Sequence, residues 1–156
     1  MRPCPYSLQF RGYVSETEPN TLRARATAPG TSLVTTIGED GLRSSFSPLA
    51  DEEAVLEMRL QLADGRVDAA GTIVCGYGNV LRFRTLNPGR LGTSPDPHLQ
   101  QGTLIYEVEG GDGSFAGARG RIASNFLLSD TGELTDNQFG LIFVAGGVPE
   151  QPAETT

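Results

Sequence analysis

Two hydroxyl-bearing residues stand inside alternating apolar stretches: Tyr106 between Leu104 and Val108, and Ser124 between Ile122 and Phe126. Facing a cavity, either one can donate a hydrogen bond to the carbonyl of a bound molecule; Tyr106 can equally be a core tyrosine whose hydroxyl is satisfied by protein. The other chemistry-bearing residues lack the context their chemistry needs. His98 is the single histidine and sits among prolines with no glycine-flanked serine to complete a Ser-His-Asp triad. Asp130-Thr131-Gly132 matches an aspartic-protease triplet, but it occurs once, lies between Ser129 and Glu133, and reads as a turn. Gly111-x-Gly113-x-x-Ala116 has the spacing of a dinucleotide fingerprint, yet Gly117 to Arg121 does not start a helix and no βαβ unit surrounds it. Arg82 and Arg84 alternate with Leu81 and Phe83, so they form either a solvated strand face or the mouth of a site for an anionic group.

Composition removes several function classes. All 12 basic residues are arginine, so Schiff-base and catalytic-lysine chemistry is excluded. A formal net charge of −7 repels a phosphate backbone, and no nucleic-acid partner is expected. One histidine cannot build a His-rich zinc site, no acid-rich oxygen cluster stands out, and neither a metal nor a cofactor is expected. Cys4 and Cys75 have no metal-ligand spacing and read as free thiols. No apolar run is long enough for a membrane helix, and Met1-Arg2-Pro3-Cys4-Pro5 lacks the apolar stretch of a signal peptide, so the expectation is a soluble, cytoplasmic protein without a membrane partner.

The elements that must position Tyr106 and Ser124 are strands. Twenty glycines and ten prolines in a chain only 38% hydrophobic mark many turns and an all-β class. Period-two alternation runs through Tyr6 to Val14, Leu22 to Ala26, Arg66 to Cys75 and Val80 to Leu86, while Ser32 to Ile37 is rich in β-branched residues and Leu42 to Ser47 reads as a weaker strand. Ala54, Leu56, Met58, Leu60 and Leu62 also alternate with Val55, Glu57, Arg59 and Gln61, which favours a strand over the helix those good helix formers could make. Pro29-Gly30, Glu39-Asp40-Gly41, Asp64-Gly65 and Gly76 to Asn79 are read as turns, and Ser47 to Glu53 as a possible single helical turn. Asn87 to Gln101 has no periodicity and is expected to be a long connection that could act as a lid.

From Thr103 the chain reads strand, glycine turn at Gly110 to Gly113 with Phe115 packed beneath it, and strand again to Leu128. A last strand holds Phe139, Leu141 and Phe143 on one face. Strands joined by tight turns form an antiparallel meander, which removes its exposed edges by closing. The expectation is a single closed up-and-down β-barrel over residues 1–145, followed by a disordered tail over 146–156. With about eight strands its interior either fills with side chains or holds one small ligand. The expected lumen is apolar, lined by Tyr6, Phe10, Leu56, Met58, Leu60, Phe83, Phe126, Leu141 and Phe143, with Tyr106 and Ser124 as its hydroxyls. If the faces were reversed, Arg82, Arg84, Glu107 and Asn125 would point inward.

The run Glu109-Gly110-Gly111-Asp112-Gly113-Ser114-Phe115-Ala116-Gly117-Ala118-Arg119-Gly120 resembles the glycine-rich hairpin of the allene oxide cyclase and dirigent superfamily. The strand from Asp64 to Gly71 resembles the one those families place upstream, and bacterial spirotetronate and spirotetramate cyclases are similar barrels with a comparable turn. The resemblance implies an eight-stranded barrel, commonly a homodimer or other small homo-oligomer, that binds a hydrophobic reactive intermediate. The polar lumen residues of the plant families have no one-to-one match here, so no catalytic residue is carried over.

The function expected on these grounds is a cofactor-independent cyclase or isomerase acting on a polyketide-like or polyene intermediate of natural-product biosynthesis, including a [4+2] cycloaddition. Holding a flexible chain in a reactive conformation away from water needs no cofactor. Tyr106 and Ser124 are the candidate catalytic residues, and the nine lumen residues above are the candidate substrate contacts. The alternative is a carrier barrel that binds a small molecule without chemistry.

Overall fold

Alternation of apolar and polar residues becomes nine β-strands in the computed structural model, which describes residues 1–145 apart from Tyr77, and of residues 30–37 and 42–52 the backbone alone. The tail expected to be disordered lies outside the described residues. The strands are β1 (Arg2–Glu18), β2 (Thr21–Gly38), β3 (Gly41–Ala63), β4 (Arg66–Cys75), β5 (Val80–Thr85), β6 (Gly89–Thr93), β7 (Leu99–Asp112), β8 (Arg119–Ser129) and β9 (Glu133–Val144). Among the described residues no helix is long and apolar enough to cross a membrane.

Every neighbouring pair is antiparallel, in the order β3-β2-β1-β9-β8-β7-β5-β4, and pairing of β3 with β4 from Ala54↔Cys75 to Ala63↔Arg66 closes the ring. β5 and β6 form one stave. Both lie between β4 and β7, β5 opposite Ala70 to Val74 and β6 opposite Arg66 and Val67. The nine strands therefore make the closed eight-stave antiparallel barrel that the alternation predicts.

Several local expectations change. The expected loop 87–101 is mostly wall, because Gly89–Thr93 and the chain from Leu99 onward are strands and only residues 94–98 connect them. Gly-Arg-Leu-Gly-Thr has no strand pattern of its own; it is extended because β4 and β7 each offer it an unpaired edge, while Pro88 lacks an N–H and interrupts the stave. Pro29-Gly30 is not a turn. β2 runs through it with a register shift between Pro29 and Thr31. The backbone of Ser47 to Glu53 continues β3 instead of forming a helical turn, and β2 and β3 pair with each other out to Gly38↔Gly41, past their last partners on β1 and β4.

The Asp64-Gly65 turn is as expected, whereas Gly110 to Asp112, expected within a turn, still belong to β7. Asp64 and Gly65 take φ of 52° and 74°, the pair of positive values a type I′ hairpin requires. In the glycine-rich stretch the reversal begins at Gly113, where a 3₁₀ turn of Gly113–Phe115 opens and Phe115 packs on the core. Gly110, with φ of 103°, serves a β-bulge: the register of β5 on β7 shifts between Leu81↔Gly111 and Phe83↔Val108.

Side chains inside the barrel follow one phase per strand. Leu56, Met58 and Leu60, Val67, Ala69 and Ile73, Leu81 and Phe83, Leu104, Tyr106 and Val108, and Ile122, Ser124 and Phe126 are buried, while Arg82, Arg84 and Asn125 lie outside and Glu107 is half-buried in the outward phase. Burying each large apolar side chain contributes about 1.5–3 kcal/mol. β9 takes the phase opposite to the expected one. Leu134, Ile142 and Val144 are buried, whereas Leu141 is 43% and Phe143 38% exposed. From Phe139 to Val144 both phases carry apolar residues, so local pattern cannot choose between them. The neighbours choose: Ser124 faces Gln138, Phe126 faces Asp136 and Tyr6 faces Gly140, and directly opposed residues share a face.

Ile142→Ala is expected to lower the unfolding free energy by about 2–5 kcal/mol, and Leu141→Ser by less than about 1 kcal/mol, in equilibrium urea unfolding. The reverse order would place the other phase of β9 inside.

Candidate active site in the barrel lumen

Inward phases of β1, β7, β8 and β9 bring five polar side chains to the middle of an apolar interior. Asp136 on β9 is fully buried, and Ser124 and Gln138 are buried beside it. Tyr106 on β7 and Tyr6 on β1 reach the same place from either side. The Ser124 hydroxyl donates to Asp136 Oδ1 at 2.5 Å, while the Tyr106 hydroxyl and Gln138 Nε2 donate to Oδ2 at 3.2 and 2.8 Å. Gln138 Oε1 accepts the Tyr6 hydroxyl at 2.7 Å. Among the described residues no buried side-chain nitrogen or oxygen is left without a partner. Such a network is tolerable in an apolar core only because every member is satisfied.

Apolar groups confine it. Met58 Sδ lies 3.5 Å from the Tyr106 hydroxyl, and the Phe83 and Tyr106 rings pack at 4.4 Å between centroids, tilted by 42°. The Phe126 ring occupies the space a β-carbon at residue 102 would need, which is why glycine stands there. Burial pushes the Asp136 carboxyl up from the ordinary carboxylate range, against hydrogen bonds from Ser124, Gln138 and Tyr106 that pull it down. The phenols of Tyr106 and Tyr6 are raised well above their ordinary range, foremost by burial; the Asp136 charge adds to both and Cys75 to Tyr6. Both tyrosines are therefore neutral donors, and Asp136 is the group that can change protonation.

Both candidate catalytic residues, Tyr106 and Ser124, meet on this one carboxylate. Of the candidate substrate contacts, Tyr6, Phe10, Leu56, Met58, Leu60, Phe83 and Phe126 all lie in the interior. Leu141 and Phe143 do not; they stand on the outer wall with Phe139. Sequence reasoning missed Asp136 and Gln138. A signal existed, since Leu134, Asp136, Gln138, Gly140 and Ile142 form one continuous phase, but Glu133-Leu134-Thr135-Asp136-Asn137-Gln138 is polar enough to look like a continuing turn.

The isolated motifs resolve simply. His98 Nδ1 pairs with Asp130 Oδ2 at 3.0 Å, both side chains exposed, and Ser94 Oγ lies 2.8 Å from the carbonyls of Asp96 and Leu99, so no triad forms there. Asp130-Thr131-Gly132 is the β8–β9 turn, held by the Glu133 amide donating to Ser129 Oγ.

No family model matches the chain, and no curated protein matches it. Solved structures that share its fold include two dirigent proteins. The pterocarpan synthase dirigent protein GePTS1 superposes with a TM-score of 0.54 at 13% identity, over 93% of this chain and 89% of that one. The pterocarpan synthase dirigent protein PsPTS1 gives a TM-score of 0.54 at 13% identity, over 94% and 97%. At that identity the likeness is one of fold, and it agrees with the dirigent part of the resemblance carried by the glycine-rich hairpin.

Because the folded protein holds a proton on Asp136 to higher pH than the unfolded chain does, this group costs stability as pH rises from the ordinary carboxylate range through its raised value. Asp136→Asn abolishes that titration. Relative to wild type, the variant's unfolding free energy is expected to improve across that window and to stop improving above it; parallel pH profiles would show an unshifted carboxyl.

Proposed function

We propose that this barrel is a cofactor-independent cyclase or isomerase that folds a hydrophobic, oxygen-bearing intermediate in its lumen, with Asp136 as the group that moves protons. The observation that carries the reading is the convergence of Ser124, Tyr106 and Gln138 on one fully buried carboxyl group. Burial favours its protonated form, and a carboxyl kept protonated in an apolar site can act as a general acid toward a substrate oxygen that it touches. The two dirigent proteins that share the fold are named as pterocarpan synthases, which supports reading the lumen as a place for ring closure.

In this reading a substrate carbonyl or hydroxyl displaces one donor from Asp136. Tyr106 and Ser124 then donate to the oxygen on which negative charge grows, and Phe10, Phe83 and Phe126 pack the carbon chain into a folded conformation. The carboxyl proton passes to the substrate oxygen and returns to Asp136 as the ring closes, so the reaction is an isomerisation with no net gain or loss of atoms or electrons. The [4+2] cycloaddition on a polyketide-like polyene is its finest form, with hydrogen bonds from the same groups polarising a carbonyl conjugated to the reacting alkene.

The test is turnover of linear polyene precursors bearing a conjugated carbonyl, followed by chromatography against a no-protein control. Wild type is expected to accelerate cyclisation; Asp136→Asn lowers kcat by about 100-fold or more, and Tyr106→Phe by about tenfold or more, with both variants folded by circular dichroism. Saturable binding with no rate gain over buffer would instead make the protein a carrier, and unchanged kinetics in Asp136→Asn would leave the buried network a structural one.

A further inference from the structure

Among the described residues six arginines are exposed on β2 to β5, and three of them are neutralised. Arg25 pairs with Glu57 at 3.5 Å, Arg82 with Asp112 at 2.9 Å, and Arg84 with Glu109. Arg66, at the start of β4 and opposite Arg90 of β6, has no such partner among the described residues. The remaining two are Arg23 and Arg59. They are directly opposed on β2 and β3, and among the described residues neither meets a carboxylate within ion-pair distance. Like charges directly opposed across a pair of strands destabilise a sheet. In a protein of net charge −7 this local excess of positive charge runs against the composition as a whole.

The surroundings form a groove. Arg59 is opposed on its other side by Ala70, and Ala70 by Arg84, so one row across the outer wall reads Ser15, Arg23, Arg59, Ala70, Arg84. Ala70, with its single methyl group, keeps the floor low beside Arg59. A groove of about 460 Å³ is lined here by Tyr13, Ser15, Arg23, Arg59, Gly71 and Thr72, together with the Arg25–Glu57 pair. Tyr13 is 68% exposed at its edge and offers an aromatic face. A second groove of about 930 Å³ shares Arg59, Ala70 and Gly71 and continues towards Arg84, Asp68 and Glu107, where carboxylates balance the charge. Within these two grooves the arginines without a carboxylate partner are therefore at the Arg23–Arg59 end.

We propose that this groove binds the phosphate group of a small phosphorylated molecule between Arg23 and Arg59, with Ser15 and Thr72 supplying hydroxyl donors and Tyr13 packing against the organic part. Two planar guanidinium forks on directly opposed residues match the several acceptor oxygens of a phosphate better than the two of a carboxylate. Binding also relieves the repulsion between the two opposed arginines. The site lies on the outside of the wall and is separate from the lumen carboxylate, so it does not depend on the cyclase reading.

Isothermal calorimetry in low-salt, phosphate-free buffer, paired with proton–nitrogen spectra of the arginine side chains, tests this with inorganic phosphate, phenyl phosphate and acetate as probes. Inorganic phosphate is expected to bind saturably and to shift the Arg23 and Arg59 side-chain signals, with phenyl phosphate tighter and acetate weaker. Arg23→Gln and Arg59→Gln each weaken phosphate binding by about tenfold or more, while Arg82→Gln leaves it unchanged. With no phosphate present, Arg59→Gln raises Tm at low salt, and the gain disappears at high salt. Non-saturating titrations, affinities unmoved by either variant, acetate binding as tightly as phosphate, or no low-salt gain in Tm would each overturn the proposal.

Discussion

A carboxyl group at the centre of an apolar barrel carries a desolvation cost that neighbouring donors must offset, and much of the lumen is arranged to meet it. Asp136 is served from β7 by Tyr106, from β8 by Ser124 and from its own strand by Gln138, whose amide oxygen in turn receives Tyr6 from β1. Those groups belong to four staves of the closed sheet. Shifting any of them by one residue would point its polar group at solvent and an exposed side chain at Asp136. The network therefore ties the strand register to the proposed chemistry, because the same hydrogen bonds that make Asp136 tolerable also hold the hydroxyls proposed to meet a substrate oxygen.

Closure of the sheet is what makes this arrangement possible. The β3–β4 pairing removes the last free edges, so inside and outside become distinct on every strand. It also explains the two-piece stave. β4 and β7 need a partner along their whole length, and the chain meets that need with β5, a break at Asn87-Pro88, and β6, although β6 has neither alternation nor β-branched density of its own. A segment that looks like a loop in isolation is extended here because its neighbours would otherwise lose their hydrogen bonds.

The outer wall shows that net charge and local charge are separate quantities. An acidic, lysine-free protein disfavours a long polyanion, which must cover a broad surface, yet a small anion responds to the field within roughly a Debye length of a few ångströms to 10 Å. Arg25, Arg82 and Arg84 on the outer wall are paired, whereas the opposed Arg23 and Arg59 meet no carboxylate within ion-pair distance among the described residues. A sequence shows both arginines but not that they face each other, since that is a fact of register between strands 36 positions apart.

How far the sequence reached differs by element. Period-two alternation, the Asp64-Gly65 hairpin and the density of glycine turns were sufficient for a closed all-β barrel, and they placed Tyr106, Ser124 and seven apolar side chains in its interior. These properties are local: a strand with one apolar face declares that face by itself, and the sign of φ in a two-residue turn depends on the residues in it. The phase of β9, the strand at 89–93 and the carboxylate at the centre were not local. Phe139 to Val144 is apolar on both faces, Gly89 to Thr93 is patterned on neither, and Asp136 looks like a surface residue until Ser124, Tyr106 and Gln138 surround it. Each was decided by pairing with strands distant in the chain, and only the folded barrel brings those partners within hydrogen-bonding distance.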